Sequence, residues 1–295
     1  MSFKNTGILA VILCLLLSCI KEDRDDCPVV NEHELLFIYY GNGQRDIFSS
    51  HINMVDMYVF DSEDNLMNHY IYDKQYLHEF QGAKLDLTSG TYRIVAWGNI
   101  SEYSKITGES GFSAMRLYHP DYLNGNVIRN FDSLYYSSDI ITISPGHDSD
   151  TLFFRSAHIN MEIYVEGFDS SFETRALIAG LIEITNANVG YDFGMNLTGE
   201  TSSVYPLCET DSNEEIAFAE FDLLRFRNDT PIKINILDSN GDVYFTVDIE
   251  KFLKDNDIDV ENVQEITVPI HIKFDDISVS VSVADWGSNN VKPVF

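Results

Sequence analysis

The chain has 295 residues, with 47 Asp and Glu against 19 Lys and Arg, giving a formal net charge of −28. Such an excess of negative charge argues against nucleic acid and anionic phospholipid as partners, because both are repelled rather than neutralised. Charged residues make up 22% of the chain, an ordinary fraction for a globular protein; only the sign is skewed.

At the N-terminus, Lys4 precedes an unbroken apolar run over residues 8–17, followed by Ser18 and Cys19. The run is too short to cross a bilayer as a helix, which takes about 20 residues, and has the length of a secretory signal core. Leu16-Leu17-Ser18-Cys19 reads as a lipobox. Cleavage between Ser18 and Cys19 then leaves a cysteine whose thiol carries lipid, and two or three acyl chains hold firmly where one holds weakly. The competing reading is an ordinary signal peptide with a coincidental cysteine. Removing residues 1–18 leaves 295 − 18 = 277 residues and a charge of 18 − 47 = −29, enough chain for two domains. Residues 19–28, with the run Ile20-Lys21-Glu22-Asp23-Arg24-Asp25-Asp26, form a predicted flexible, charged tether. Cys14 leaves with the signal and Cys19 is taken by lipid. Cys27 and Cys208 either pair as a disulfide in an oxidising compartment or stay separate thiols, and the sequence leaves both open.

From residue 29 the pattern is β nearly throughout. Residues 35–40 read as a buried apolar strand stopped by Gly41-Asn42-Gly43. Residues 54–60 alternate around Val55, Met57 and Val59, and an Asp61–Asn65 turn leads into a strand over 66–72. Residues 84–88 and 92–97, joined by Ser89-Gly90, read as a hairpin. Residues 100–136 are an irregular excursion, and strands over 137–143 and 151–154 close a first unit. In the second half, Ile159, Met161, Ile163 and Val165 share one face, with His158, Asn160, Glu162 and Tyr164 on the other. Ile232, Ile234 and Ile236 alternate likewise, as do Val268, Ile270, Ile272 and Phe274, and Val279, Val281 and Val283. Asn240-Gly241 marks a hairpin turn, and Pro269 favours an edge or a strand start. The one credible helix covers 248–254, with Ile249, Phe252 and Leu253 at helical spacing. Two β-sandwiches in tandem are expected, over 29–154 and 155–295.

Motifs for chemistry are missing. The sequence holds no Gly-x-Ser-x-Gly, His-Glu-x-x-His, Walker loop or Cys-x-x-Cys. His158 and His271 read as exposed strand residues rather than ligands. The stretch 255–259, Asp-Asn-Asp-Ile-Asp, places oxygens at alternate positions like a calcium loop. It has Val260 where the turn glycine belongs and Ile266 where the bidentate acid belongs, so it reads as a solvated acidic loop. No catalytic residue, metal or cofactor is expected. The tyrosine runs Tyr39-Tyr40, Tyr70-Ile71-Tyr72 and Tyr135-Tyr136 suit the outer layers of a sandwich better than a sugar-stacking platform.

Several features coincide with a known family. Cys19 followed by Cys27-Pro28, the strand YRIVAWGN over 92–99, the strand RSAHINMEIYVEG over 155–167 and the closing VSVSVADW over 279–286 resemble the FimB-type fimbrial anchor lipoproteins of type V pili in Bacteroidales. Lys21-Glu22-Asp23 also resembles the export signal that sends Bacteroidota lipoproteins to the outer face of the outer membrane. The resemblance implies an all-β chain of two tandem transthyretin-like β-sandwiches behind a lipoprotein signal peptide. It implies a lipid-anchored outer-membrane protein at the base of a fimbrium that tethers the fibre and limits its polymerisation. Shaft pilins are the implied partners, joined by strand complementation. Only residues 287–295 follow the last expected strand, which suits a terminal subunit without a long C-terminal donor segment. The joint falls on residues 29–40 or on a strand of the second unit. Alternative readings are a tip or accessory subunit of the same pilus class, and a surface glycan-binding lipoprotein.

Overall fold

The computed structural model describes residues 30–108, 111–146, 149–167, 181–211, 216–238, 240–275 and 278–284. The predicted signal peptide and tether, Cys19, Cys27 and Trp286 lie outside the described residues.

Strand β1 (Val30–Ile38) lies between β4 (Gly82–Thr88), antiparallel, and β9 (Ser149–Phe153), parallel. This sheet faces a second one in the order β10 (Arg155–Ser156), β8 (Tyr135–Ile143), β5 (Gly90–Gly98), β2 (Val55–Phe60), β3 (Leu66–Tyr72). Leu35, Phe37, Met57, Val59, Leu85, Ile94, Ala96 and Leu152 fill the space between them. The second sandwich opposes a five-stranded sheet to a four-stranded one. The first runs β15 (Glu209–Asp211), β16 (Ile216–Leu224), β11 (His158–Glu166), β19 (Thr267–Asp275), β20 (Ser278–Val283). The second runs β14 (Thr201–Val204), β12 (Ile182–Asn188), β17 (Lys233–Leu237), β18 (Val243–Asp248). Ile159, Met161, Ile163 and Val165 from β11 meet Ile182, Ile184, Ile234 and Ile236 there, as their period-two spacing requires.

The excursion over 100–136 joins the two halves. Its strand β7 (Arg116–Tyr118) lies between β6 (Lys105–Thr107) and, from the second half, β13 (Gly190–Asp192), making a small antiparallel sheet. That sheet covers the outward face of β2 and β5. Trp97 is fully buried, its ring centroid 4.7 Å from Tyr136 and 5.7 Å from Tyr191. Phe193 packs edge-on at 5.0 Å from Tyr58. Tyr58, Phe60, Val95 and Trp97 therefore belong to the same apolar cluster as the core of the second sandwich. All six residues of β2 are buried, because both of its faces are covered.

Several sequence expectations need correcting. Residues 84–88 and 92–97 do not form a hairpin: β4 pairs with β1 and β5 pairs with β2 and β8, so Ser89-Gly90 carries the chain from one sheet to the other. In the run 35–40, Leu36 and Tyr40 are exposed, since only one face of that sheet meets a core. His158 is buried rather than exposed. The end of the first unit covers it: its Nδ1 lies 2.9 Å from Leu134 O, and its ring packs edge-on against Tyr135. Pro269 is in central β19, but Ala284 N donates to Pro269 O at 3.1 Å where the β20 ladder ends, so the missing N–H falls beyond that ladder. The predicted helix is present as α4 (Ile249–Asp255), capped by Asp248, whose carboxylate accepts from Lys251 N. It has short companions: α1 (Phe48–His51), α2 (Lys74–Glu79) and α3 (Pro120–Asn124).

One turn design recurs three times. Asp61, Asp192 and Asp238 each accept, through one carboxylate oxygen, from the backbone N–H groups two and four residues on, at 2.8–2.9 Å. The fourth residue of each turn takes a left-handed conformation: Asp64 (φ 62°), Met195 (φ 62°) and Gly241 (φ 85°). An aspartate that holds its own turn in this way makes a tight reversal from local bonds alone.

Polar contacts also lock the halves together. Arg225, at the end of β16, donates to four backbone carbonyls: Ser156 O at 3.1 Å, Val263 O at 2.9 Å, Gln264 O at 2.6 Å, and Val260 O. It thereby shapes the loop over 256–266, which reaches back to the first sandwich. Asn42 accepts from Gln264 N at 2.6 Å and donates to Glu265 O at 3.0 Å. The Glu265 carboxylate accepts from the hydroxyls of Tyr39 and Tyr135 and lies 3.7 Å from His51 Nε2. Burial, reinforced by Glu265, raises the pKa of both phenols, so they stay protonated donors. Asp259 organises the same loop, accepting from Asn228 Nδ2, Glu261 N and Asn262 N at 3.0–3.2 Å. Those bonds hold its carboxyl at about 2.

Replacing Trp97 by Ala should cost about 3–5 kcal/mol, and because the ring touches both halves, calorimetry should show both losing stability together. Arg225→Lys cannot span four carbonyls and should cost about 3 kcal/mol in urea unfolding. A carboxyl with a lowered native pKa contributes stability that is complete above its unfolded value near 4 and lost as pH falls through the native one. Asp259→Asn should therefore flatten the acid limb of melting temperature against pH between about 4 and 2.

Candidate docking edges

An all-β protein that meets partners does so through faces and free strand edges. Strand β1, which the sequence offered as one such joint, has no free edge from Glu34 onward. It pairs with β4 through Leu36↔Gly82 and with β9 from Glu34↔Ser149 to Ile38↔Phe153. His33 is fully buried in it and lies 3.0 Å from Asp150 Oδ2 on β9, while Lys84 of β4 bridges Glu32 and Glu34 at 3.1 Å each.

The second unit presents an open side. Among the described residues, β20 is paired only with β19, and β18 only with β17. Val279 and Val283 are more than one-third exposed, and Val243 and Tyr244 more than half. Tyr244 and Phe245 meet Phe274 with ring centroids 5.3 and 5.8 Å apart, bringing the two sheets together at that side. β20 carries only Ser and Val and lacks the Lys or Pro that commonly blunts such an edge. In the first sandwich β3 is an edge with Met67 and Ile71 exposed. The β14 edge is shielded instead: Ile128 bridges to Val204, Tyr205 N donates to Ile128 O at 2.9 Å, and Arg129 Nη1 donates to Tyr205 O at 3.1 Å.

The remaining residues singled out in the sequence are structural here or undescribed. Ser18, Cys19 and Cys27 lie outside the described residues. Cys208 is half-buried without a disulfide among the described residues, and burial pushes its thiol up to about 12. The Cys27–Cys208 pairing therefore concerns one described and one undescribed partner. His271 is half-buried on β19, 3.1 Å from Glu166 Oε2, and Lys273 donates to the other Glu166 oxygen at 2.6 Å. Asp257 and Asp259 border a cleft of about 400 Å³ with Asp229 and Glu250. Among the described residues, no three His, Cys, Asp or Glu side chains gather as metal ligands. Open edges with apolar faces were only half legible in the sequence. The Val-Ser alternation announces β20, but which strands end a sheet depends on long-range order.

Comparison with known proteins gives this geometry a context. A candidate adhesin from Bacteroides ovatus superposes with a TM-score of 0.70 at 16% identity, covering 87% of this chain and 95% of that one. A candidate polysaccharide-binding protein from Bacteroides thetaiotaomicron gives 0.65 at 15%, covering 83% and 91%. The fimbrial anchor protein Mfa2 from Porphyromonas gingivalis gives 0.63 at 17%, covering 86% and 95%. At these identities the likeness is one of fold. A search of the curated proteins returns no match. The profile of the family Mfa2, fimbrillin-A associated anchor proteins Mfa1 and Mfa2, matches residues 24–292, and because that covers nearly the whole chain, the protein belongs to this fimbrial anchor family.

Proposed function

We propose that this protein is a non-catalytic base subunit of a fimbria, held in the outer membrane by lipid on Cys19, which receives shaft pilins by strand complementation and limits their polymerisation. The family match over residues 24–292 carries the reading. The lipobox at residues 16–19 supports the lipid anchor, and Lys21-Glu22-Asp23 supports surface exposure. The eleven steps of chain from Cys19 to Val30 reach at most about 40 Å, which keeps the folded part close to the membrane. The open, uncharged β20 edge supports joining by backbone pairing, which supplies affinity while side-chain pockets supply register. The strong negative charge supports a partner other than nucleic acid or bare anionic lipid.

The test is a pull-down of wild-type and Cys19→Ala protein from membranes of the native host, with fibres viewed by electron microscopy. Pilins should co-purify with the wild type, and the Cys19→Ala strain should shed long fibres into the medium. Fibres unchanged in length and attachment, with glycan-uptake proteins recovered in place of pilins, would overturn the reading in favour of a glycan-binding lipoprotein.

A further inference from the structure

β8 is paired with β5 along its whole length, from Gly90↔Ile143 to Gly98↔Tyr135. On its other side, β10 covers only Tyr135 and Tyr136. Among the described residues, 137–143 thus leave a ladder edge unpaired. Ile140 N identifies which groups face out: it donates to the side chain of its neighbour, Asp139 Oδ1, at 2.7 Å instead of to a strand. By the alternation of a strand, the backbone groups of Ser138 and Thr142 face the same way. Asp139 acts as a local guard on an edge that would otherwise pair indiscriminately.

A groove of about 440 Å³ lies at the near end of this edge, where the two halves meet. Ser137, Ser138, Tyr136 and Arg93 form one wall, Phe153 and Arg155 another, and Phe112 and Gly194 close it. The Arg93 guanidinium sits over the Phe112 ring at 4.4 Å and that of Arg155 over Tyr136 at 5.2 Å. Arg93 gives Nε to Asp64 Oδ1 at 2.7 Å. Arg155 has no carboxylate within ion-pair distance among the described residues. Two stacked guanidiniums bordering one groove are an exception on a chain with net charge −28. Phe153, more than half exposed, gives the groove an apolar rim, and Ile140, also more than half exposed, follows two residues beyond Ser138 on the same face of β8.

We propose that this groove is a peptide-binding site. It takes an extended segment of a partner protein that pairs with β8 along residues 137–143 and places a carboxylate, from an acidic side chain or a C-terminus, against Arg155 and the outer face of Arg93. The segment displaces Asp139 from Ile140 N, supplies the missing ladder, and rests an apolar side chain between Ile140 and Phe153. A planar guanidinium preorganised on an aromatic ring suits a carboxylate better than a mobile lysine does. Charge complementarity selects the occupant, because most of the surrounding surface repels acidic chains. The inference rests on the fimbrial reading only for the identity of the protein that supplies the segment.

The probe is a fluorescein-labelled peptide of about eight alternating Val and Thr residues ending in Asp, compared with the same peptide ending in Asn amide. Both are titrated onto the full chain by fluorescence anisotropy. The Asp peptide should bind about tenfold more tightly than the Asn amide, and Arg155→Glu should remove about that factor or more. Ile140→Pro should abolish binding while leaving the β5–β8 pairing intact, since its N–H faces outward; an unchanged circular-dichroism melt checks this. Equal binding of the two peptides, no binding of either, or full affinity in Arg155→Glu would overturn the site. The two readings fail separately. Pilin capture by the wild type with no preference for the Asp peptide overturns the groove and leaves the anchor, whereas Arg155-dependent peptide binding without pilin capture sinks the anchor and leaves the groove.

Discussion

The structure depends on the double burial of one sheet. In most antiparallel sandwiches each sheet has a dry and a wet face, but β2 and β5 are dry on both. Met57, Val59, Ile94 and Ala96 face the first core, while Tyr58, Phe60, Val95 and Trp97 face the small sheet built from both halves. This makes the two sandwiches share an apolar boundary rather than hang from a linker. The excursion over 100–136 is the material that fills the boundary, and its central strand β7 joins β6 to β13 of the second half. Burying Trp97 leaves its Nε1–H without a hydrogen-bond partner among the described residues. An unmet donor of this kind costs about 1–3 kcal/mol, offset here by packing against Tyr136, Tyr191 and Phe193.

The polar lock works beside the apolar one and in a different way. Arg225 does not neutralise a carboxylate; it gathers four carbonyl oxygens and so fixes the course of a loop. Glu265 then offers an acceptor to two phenols of the first sandwich. A loop shaped from one half and read by the other makes the mutual orientation of the halves a property of side chains far apart in sequence. The edges that remain open on either unit are therefore presented in a fixed arrangement.

Much of the fold was legible because period-two patterning is a local property. Ile159, Met161, Ile163 and Val165 declare their face in seven residues, and the Asp248 cap with Phe252 and Leu253 declares α4. What local pattern does not encode is which strand lies beside which. Residues 84–88 and 92–97 look like two arms of a hairpin, yet Gly90 marks a crossing between sheets. His158 looks like an outward residue until Leu134 and Tyr135 of the first unit cover it. Tyr58 and Phe60 hinted at a second dry face within β2, since two large aromatics rarely alternate toward water on an interior strand. The helices α1, α2 and α3 were too short for periodicity to show; only Asp73, which caps α2, and Pro120 at the start of α3 mark them. The Arg93 and Arg155 groove was hidden because its walls are 62 residues apart (155 − 93) and joined by tertiary packing.

The placing of β1 has a mechanical consequence. β1 is the first described strand, and tension applied at its Val30 end runs along its axis. Ladder hydrogen bonds lie across a strand rather than along it, so such a load shears them together instead of peeling them one by one. Among the described residues, the load over Val30 to His33 meets only the β4 ladder, and from Glu34 onward it is divided with the parallel β9 ladder. The strand thus stiffens with depth, and the buried His33–Asp150 contact sits where single pairing gives way to double. A strand seated between two others resists traction in a way that an edge strand of the same composition would not.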